Sequence, residues 1–362
     1  MAGLYESSPR RGRASVEFRY NPRMKRVVVR RPGGHEALEL LDEADPLPGP
    51  GQYRVRVRAA GVNYADVIVR EGYYEAAKGL YPLSPGFEFA GTVDASGPGA
   101  EGFGVGDRVF GFTRFGGYAS VQLAEPGRLR RMPDGWEFAE CAALPAVHFT
   151  AYHALFKVAK VSAGETVLIH SAAGGVGTAL LQQARIAGLR AIAVVGSERK
   201  LSVAREFGAS AAFVRGPRLW EDLDRAAPDG FDAVFDANGV TTPRPGFERL
   251  KLGGRLVVYG FGEIMPRGGR PFLPLLAWNW LRVPRFSPLE MTARNRAVLG
   301  FNVDYLTDNA ELARDGFDAI ARWAREGVVK KPPVTAFSAE RAADAHRALE
   351  SGETVGKLVL TF

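Results

Sequence analysis

Apolar positions change their spacing twice along the chain and divide it into three stretches. In the first, residues 27–124, the apolar runs are short and turn residues separate them. Residues 27–29 form one such run, 38–40 alternate, and 46–51 are a cluster of breakers. Residues 53–59 read Tyr-Arg-Val-Arg-Val-Arg-Ala. That period of two predicts an antiparallel strand with one buried face and one wet, basic face. Residues 61–70 begin as a loop and enter a short helix capped near Asn63. Residues 72–74 and 82–86 read as loop. Further strands are expected at 87–94, 107–112 and 119–124, with a Gly/Pro-rich turn over 97–106. Short strands spaced by turn chemistry describe a compact β unit.

From residue 138 the pattern becomes helical. Residues 139–160 carry few breakers apart from Pro145. A regular alternation follows. Strands are expected at 167–170, 191–195, 211–214, 231–235, 255–260 and 297–301, with helices at 178–187, 201–207, 219–226 and 245–251. Such βα alternation predicts a parallel, doubly wound sheet. The last stretch holds helices at 310–326 and 339–351 and a closing strand at 356–362. In the first of these helices Leu312, Phe317, Ile320, Ala321 and Trp323 share a face. The fold class is therefore α/β, with a β-rich unit and a Rossmann unit inserted into it. The expected division is a basic tail at 1–20, a β-rich unit of 21–147 plus 309–362, and a Rossmann unit of 148–308.

Composition narrows the function. The 362 residues are 46% hydrophobic and 24% charged, as in water-soluble globular proteins. No apolar run is long enough to cross a bilayer, and residues 272–281 are interrupted by Pro274 and Asn279. The net charge of +7 sits partly in the tail and in residues 23–31. No nucleic-acid motif accompanies it, so solubility and attraction of a polyanionic cofactor are the simpler reading. The single cysteine, Cys141, excludes intrachain disulfides and any multi-cysteine metal site. A reducing, cytoplasmic setting is expected.

Candidate chemistry centres on residues 164–177, Gly-Glu-Thr-Val-Leu-Ile-His-Ser-Ala-Ala-Gly-Gly-Val-Gly. Ala172, Gly174 and Gly177 occupy the positions of a G-x-G-x-x-G fingerprint between a strand and a helix, the context such a motif needs. Gly174 would admit a pyrophosphate, Gly175 and Val176 complete the turn, and Gly177 would let the helix pack on the strand. The helix N-terminus offers unpaired N–H groups to phosphate. The next strand runs into Gly196, Ser197, Glu198, Arg199 and Lys200. Ser197 and Lys200 suit the 2′-phosphate of NADPH, while Glu198 is the rival, a ribose reader for NAD. Lys200 is otherwise a solvated residue of a first helical turn. Asn238, Gly260 and Phe261 lie just past strand ends, where the nicotinamide half would sit, and Asp236 there reads as an end-of-strand cap.

Several segments together resemble the medium-chain dehydrogenase/reductase superfamily, specifically its zinc-free quinone oxidoreductase branch. They are residues 60–66 (Ala-Gly-Val-Asn-Tyr-Ala-Asp), 85–91 (Pro-Gly-Phe-Glu-Phe-Ala-Gly), 106–111 (Gly-Asp-Arg-Val-Phe-Gly), 150–152, the glycine turn and Gly356-Lys357. Residues 295–302 more narrowly resemble the vesicle amine transport protein group. The resemblance implies a GroES-like catalytic domain, a Rossmann domain, an active site between them and a homodimer. Zinc-dependent relatives carry Cys, His-Glu and Cys or Asp at the metal. The matching positions here are Asn63, Phe87-Glu88 and approximately Ala146, so no metal is expected. The resemblance nominates Asn63, Asp66 and Tyr74 as cleft-lining. It puts Thr150, Phe301 and Asn302 near the nicotinamide and Lys357 on the cofactor.

The expected activity is hydride transfer from NADPH to a small quinone or enone without a metal. The rivals are an enoyl or alkenal double-bond reductase on the same scaffold, and a non-catalytic NADPH-binding interaction protein. His148 and His153 have a suitable intrinsic pKa for acid catalysis but match no catalytic histidine of the family. Trp278, Trp280 and Phe286 fall in a Pro/Arg-rich insertion and are expected to pack on their own domain.

Overall fold

Residues 23–264, 273–306 and 310–362 are described by a computed structural model, and the 1–20 tail expected from sequence lies outside them. The first part of the chain forms β1 (Arg23–Val29), β2 (Leu38–Ala44), β3 (Tyr53–Val62), α1 (Tyr64–Glu71), β4 (Glu88–Ser96), β5 (Arg108–Phe112), β6 (Val121–Ala124) and β7 (Leu129–Arg131). Next come α2 (Phe138–Ala142), α3 (Pro145–Tyr152), a π-helical turn at His153–Ala159, β8 (Thr166–Ile169), α4 (Gly175–Ile186) and β9 (Arg190–Val195). The alternation continues through α5 (Leu201–Glu206), β10 (Ala211–Val214), α6 (Leu219–Ala226), β11 (Phe231–Asp236), α7 (Pro243–Glu248), β12 (Leu250–Val258), α8 (Leu273–Leu281), α9 (Pro288–Arg294) and β13 (Ala297–Gly300). The chain closes with α10 (Val303–Leu306), α11 (Ala310–Arg325), β14 (Val334–Ser338), α12 (Ala342–Glu350) and β15 (Lys357–Thr361).

Two large sheets result. One is parallel, with strand order β10-β9-β8-β11-β12-β13. Its order reverses between β8 and β11, which opens a crevice at the carboxyl ends of these strands. The other runs β14-β15-β3-β4-β5-β7, with β6 also on β3. The C-terminal strands thus return to the N-terminal sheet. β3 shows why its pattern was readable. Tyr53, Val55 and Val57 are buried, while Arg54 and Arg56 face outward onto Asp94. Phe317 of α11 ties the parts together, stacking on Phe112 at 3.9 Å and on Phe149 at 4.7 Å.

The structure departs from the sequence pattern in particular places. The helix expected at 139–160 is three pieces: Pro145 starts a new helix at a position that needs no N–H, and from His153 the bonding turns π-helical. The helix expected at 245–251 stops at Glu248, and β12 begins already at Leu250 through a register shift against β11. β7 and β14 were not expected, since Leu-Arg-Arg and Val-Thr-Ala-Phe-Ser carry too little alternation. Pairing with β5 and β15 makes them strands. Phe286 packs on Phe247 at 5.0 Å as expected, whereas Trp278 and Trp280 do not pack inward and are 58% and 63% exposed.

Candidate active site between the two sheets

The glycine turn sits where β8 ends. Ser171 holds a positive φ of 54°, a conformation uncommon for a residue with a side chain, and reverses the chain. Helix α4 starts at Gly175, three residues earlier than expected, with Gly174 as its cap. The N–H groups of its first turn lack intrahelical partners and follow directly on the carboxyl end of β8, a ready anion cradle. A Cβ on Gly177 would lie 2.4 Å from the Ser171 carbonyl oxygen, so only glycine lets α4 sit this close to the turn. A Cβ on Gly175 would lie 2.9 Å from Val147.

The returning C-terminal segment closes on this turn. Gly356 N–H donates to the Ala173 carbonyl at 3.1 Å, and Gly356 pairs with Gly174 as an isolated parallel bridge. One residue later the Lys357 ammonium reaches Glu88 Oε1 at 2.5 Å and donates to Asn63 Oδ1. Asn63 Nδ2 donates to Glu88 Oε1 at 2.9 Å, and Ala146 N–H donates to Glu88 Oε2 at 2.7 Å. Glu88 is fully buried and Lys357 nearly so. These residues come from α1's cap, β4, α3 and β15. Sequence reasoning singled out Asn63, Glu88 and Lys357 separately but not their joining, because 294 residues separate Asn63 from Lys357.

Asp66 does not line the cleft. It is fully buried behind Asn63, accepting from Asn63 N–H at 2.7 Å, Gly86 N–H at 2.8 Å and Tyr118 hydroxyl at 3.0 Å. Its role is a helix-capping box that fixes Asn63. Burial pushes its carboxyl up to about 7, against these hydrogen bonds and the Lys357 charge. Behind it Tyr118 meets His346 Nε2 at 3.1 Å, and Arg70 Nη1 lies 3.3 Å from His346 Nδ1 and donates to Glu350 at 2.7 Å.

The opposite wall comes from both units. Tyr74 hydroxyl donates to Asn302 Oδ1 at 3.1 Å, and its ring packs edge-on against Phe87 at 5.9 Å and Phe115 at 6.3 Å. Arg114 pairs with Asp304 at 3.2 Å beside them, a link without a sequence signal. Burial pushes the Tyr74 phenol well above its ordinary value, so it remains an O–H donor at neutral pH. Thr150 is buried and donates its hydroxyl to the Ala146 carbonyl at 2.7 Å, which leaves its oxygen as an acceptor. Phe301 meets His153 edge-on at 4.9 Å and stacks on Tyr259 at 6.4 Å. His148 is buried against Gln183, and burial holds it down at about 3, too low for acid catalysis at neutral pH. Burial also lowers His153.

At the strand ends, Asn238 accepts from Ser171 hydroxyl at 2.9 Å and Asp236 caps the N–H groups of Asn238 and Gly239, each at 2.8 Å. Gly262 N–H donates to Ala237 at 2.9 Å, which draws the 260–262 loop onto the 237–239 loop. Gly260 lies in this tight approach, a Cβ there meeting the Ala237 oxygen at 3.0 Å, while Phe261 is 52% exposed. Gly196 ends β9 against open space. Lys200 is 8% exposed and donates from Nζ to the Gly352 carbonyl at 2.7 Å.

A zinc ion does not fit the donor set. Glu88 is already neutralised by Lys357, Phe87 offers a ring, and Asn63 an amide bonded on both sides. Among the described residues no group of three or more His, Cys, Asp or Glu could hold a metal.

The comparisons with known proteins agree with this architecture. The alcohol dehydrogenase GroES-like domain matches residues 49–151, and the zinc-binding dehydrogenase domain matches residues 208–360. The synaptic vesicle membrane protein VAT-1 homolog of Rattus norvegicus is 32% identical over 342 residues, 94% of this chain and 84% of that protein. A mycobacterial protein solved in complex with NADPH is 27% identical with a TM-score of 0.80, covering 94% of this chain and all of that one (100%). A quinone oxidoreductase of Pseudomonas syringae pv. Tomato DC3000 is 27% identical with a TM-score of 0.79, covering 94% and 100%. The chain belongs to the medium-chain dehydrogenase/reductase superfamily of oxidoreductases. Within it, the chain falls in the group of the VAT-1 homologs.

Proposed function

We propose that the protein is a zinc-independent reductase that uses NADPH to reduce quinones or related conjugated carbonyls. The observation that carries this reading is the Lys357 ammonium, which sits between Asn63 and Glu88 where zinc-dependent relatives need metal ligands. The glycine turn and the first turn of α4 suit a pyrophosphate, with Ser197 at the ribose end, whereas Lys200 donates to the Gly352 carbonyl instead. The relative solved with NADPH supports the same cofactor. Bound there, NADPH supplies a hydride from its nicotinamide. Without a Lewis acid the acceptor must already be activated by conjugation.

The chain's own groups then have definite tasks. Thr150 accepts a carboxamide N–H and, with Asn238, Gly260, Phe261, Phe301 and Asn302, fixes the plane of the ring. Tyr74, whose phenolic O–H donates to Asn302 Oδ1 in this structure, turns that O–H to the oxygen on which charge develops once an acceptor enters. Asn63, its amide locked between Glu88 and Lys357, shapes the floor. The sheets are read as two domains, 21–147 with 309–362 and 148–308, so the reaction takes place between them. The open edge of β13 and the exposed Trp278 and Trp280 are surfaces that suit a homodimer contact.

Steady-state NADPH oxidation across quinones, enones and enoyl thioesters tests the reading. Turnover confined to quinones and enones is the expected result. Turnover confined to enoyl thioesters would move the protein to the double-bond reductases. Tight NADPH binding with no acceptor reduced would make it a binding protein instead.

A further inference from the structure

Arg215 lies outside the segment whose pattern suggests a ribose phosphate site, yet the fold brings it to that segment. β9 and β10 run parallel with Val195 beside Val214, and Arg215 N–H donates to the Val195 carbonyl at 2.8 Å. Arg215 therefore leaves the sheet next to Gly196 and Ser197. Its guanidinium is held from one side. Nη1 donates to Glu263 Oε1 at 2.9 Å, and Glu263 is itself anchored by the Thr241 N–H at 2.7 Å and the Thr241 hydroxyl at 2.8 Å. The Nε of Arg215 is buried without a hydrogen-bond partner, and so is the hydroxyl oxygen of Ser197. Unpaired polar atoms of this kind are costly in a finished structure and point to a missing partner. The nearby cations turn to another part of the chain: Arg199 pairs with Glu353, and Lys200 donates to the Gly352 carbonyl.

We propose that Arg215, aimed by Glu263, is the residue that selects the 2′-phosphate of NADPH, with Ser197 bonding the same phosphate. This rests on the NADPH reading above. A phosphate dianion matches the planar edge of a guanidinium and accepts from a hydroxyl at the same time. The ribose hydroxyl of NADH carries no charge and gains little from either group.

The test is direct binding, by calorimetry on the full chain, of NADPH, NADH, 2′,5′-ADP and 5′-AMP to wild type, Arg215→Gln and Arg215→Lys. Arg215→Gln should weaken NADPH and 2′,5′-ADP by about 10- to 100-fold, the range of a lost charged hydrogen bond, and leave NADH and 5′-AMP unchanged. Unchanged 5′-AMP binding shows that the variant is folded. Arg215→Lys, which keeps the charge without the fork, should fall between. If Arg215→Gln keeps the wild-type preference for NADPH, or weakens both dinucleotides equally, the assignment is wrong. If wild type itself does not distinguish NADPH from NADH, the cofactor reading fails first, and that outcome is separable from failure at Arg215.

Discussion

Lys357 and Glu88 form an ion pair with almost no access to water, and the pair is central at the scale of single residues. Removing one partner strands the other charge in a low-dielectric interior. Lys357→Met should therefore cost about 3–5 kcal/mol, and adding Glu88→Gln should recover much of it. Urea unfolding of the single and double variants checks this, and equal losses in both would contradict it. Tyr74 makes a complementary prediction about activity. Tyr74→Phe should lower kcat with a quinone by about 100-fold, the scale of a lost proton or hydrogen-bond donor, and leave NADPH affinity intact. Since burial holds the phenol above its ordinary value, the wild-type rate should show no loss from Tyr74 ionisation up to its ordinary value of 10.0.

At the scale of elements, the turn between β8 and α4 depends on one missing methyl group. Gly177→Ala would drive a Cβ into the Ser171 carbonyl and push α4 off the sheet. The expected result is a stability loss of about 1–3 kcal/mol together with weaker NADPH binding, measured by unfolding and calorimetry on the same preparation. This element was legible in the sequence because strand, glycines and helix are contiguous. β3 was legible for a similar reason, its arginines alternating with apolar residues. β14 and the split of the 139–160 helix were not. The first is a strand only because β15 returns beside it, and the second is broken at a proline that tolerates the start of a helix. The site divides the same way. Residues carried by local motifs, such as Asn63, Thr150 and Gly177, could be nominated. What Lys357 and Arg215 face depends on chain crossings that local patterning does not encode, and Asp66 carries a motif signal yet serves as a cap rather than a lining group.

At the scale of the whole molecule, buried histidines should set the acid limb of stability. Burial holds His148 down at about 3 and His170 at about 4, from an ordinary value of 6.5, and holds His346 well below it. The unfolded chain binds protons in this range that the folded chain refuses. Their contribution is therefore present above about pH 6.5 and is lost as pH falls. Burial raises Asp66 and Glu71 to about 7, so those two oppose the slope by losing stability as pH rises toward 7. Removing one histidine isolates its share. His148→Gln should lose less stability than wild type as the pH is lowered through the range below 6.5, measured as Tm. Parallel curves would mean that His148 is not held neutral in the fold.

The two units meet through the returning β15, which brings Lys357 to Glu88 and Gly356 to the glycine turn in one stroke. In the proposed reading that geometry holds the cleft together without a metal, and among the described residues no group of three or more His, Cys, Asp or Glu could hold one. The most direct test is NADPH oxidation with a quinone acceptor, before and after exhaustive chelation, with the zinc content of each sample determined. The expected result is the same turnover at negligible zinc. Loss of turnover on chelation, restored by adding zinc alone, would contradict the central claim.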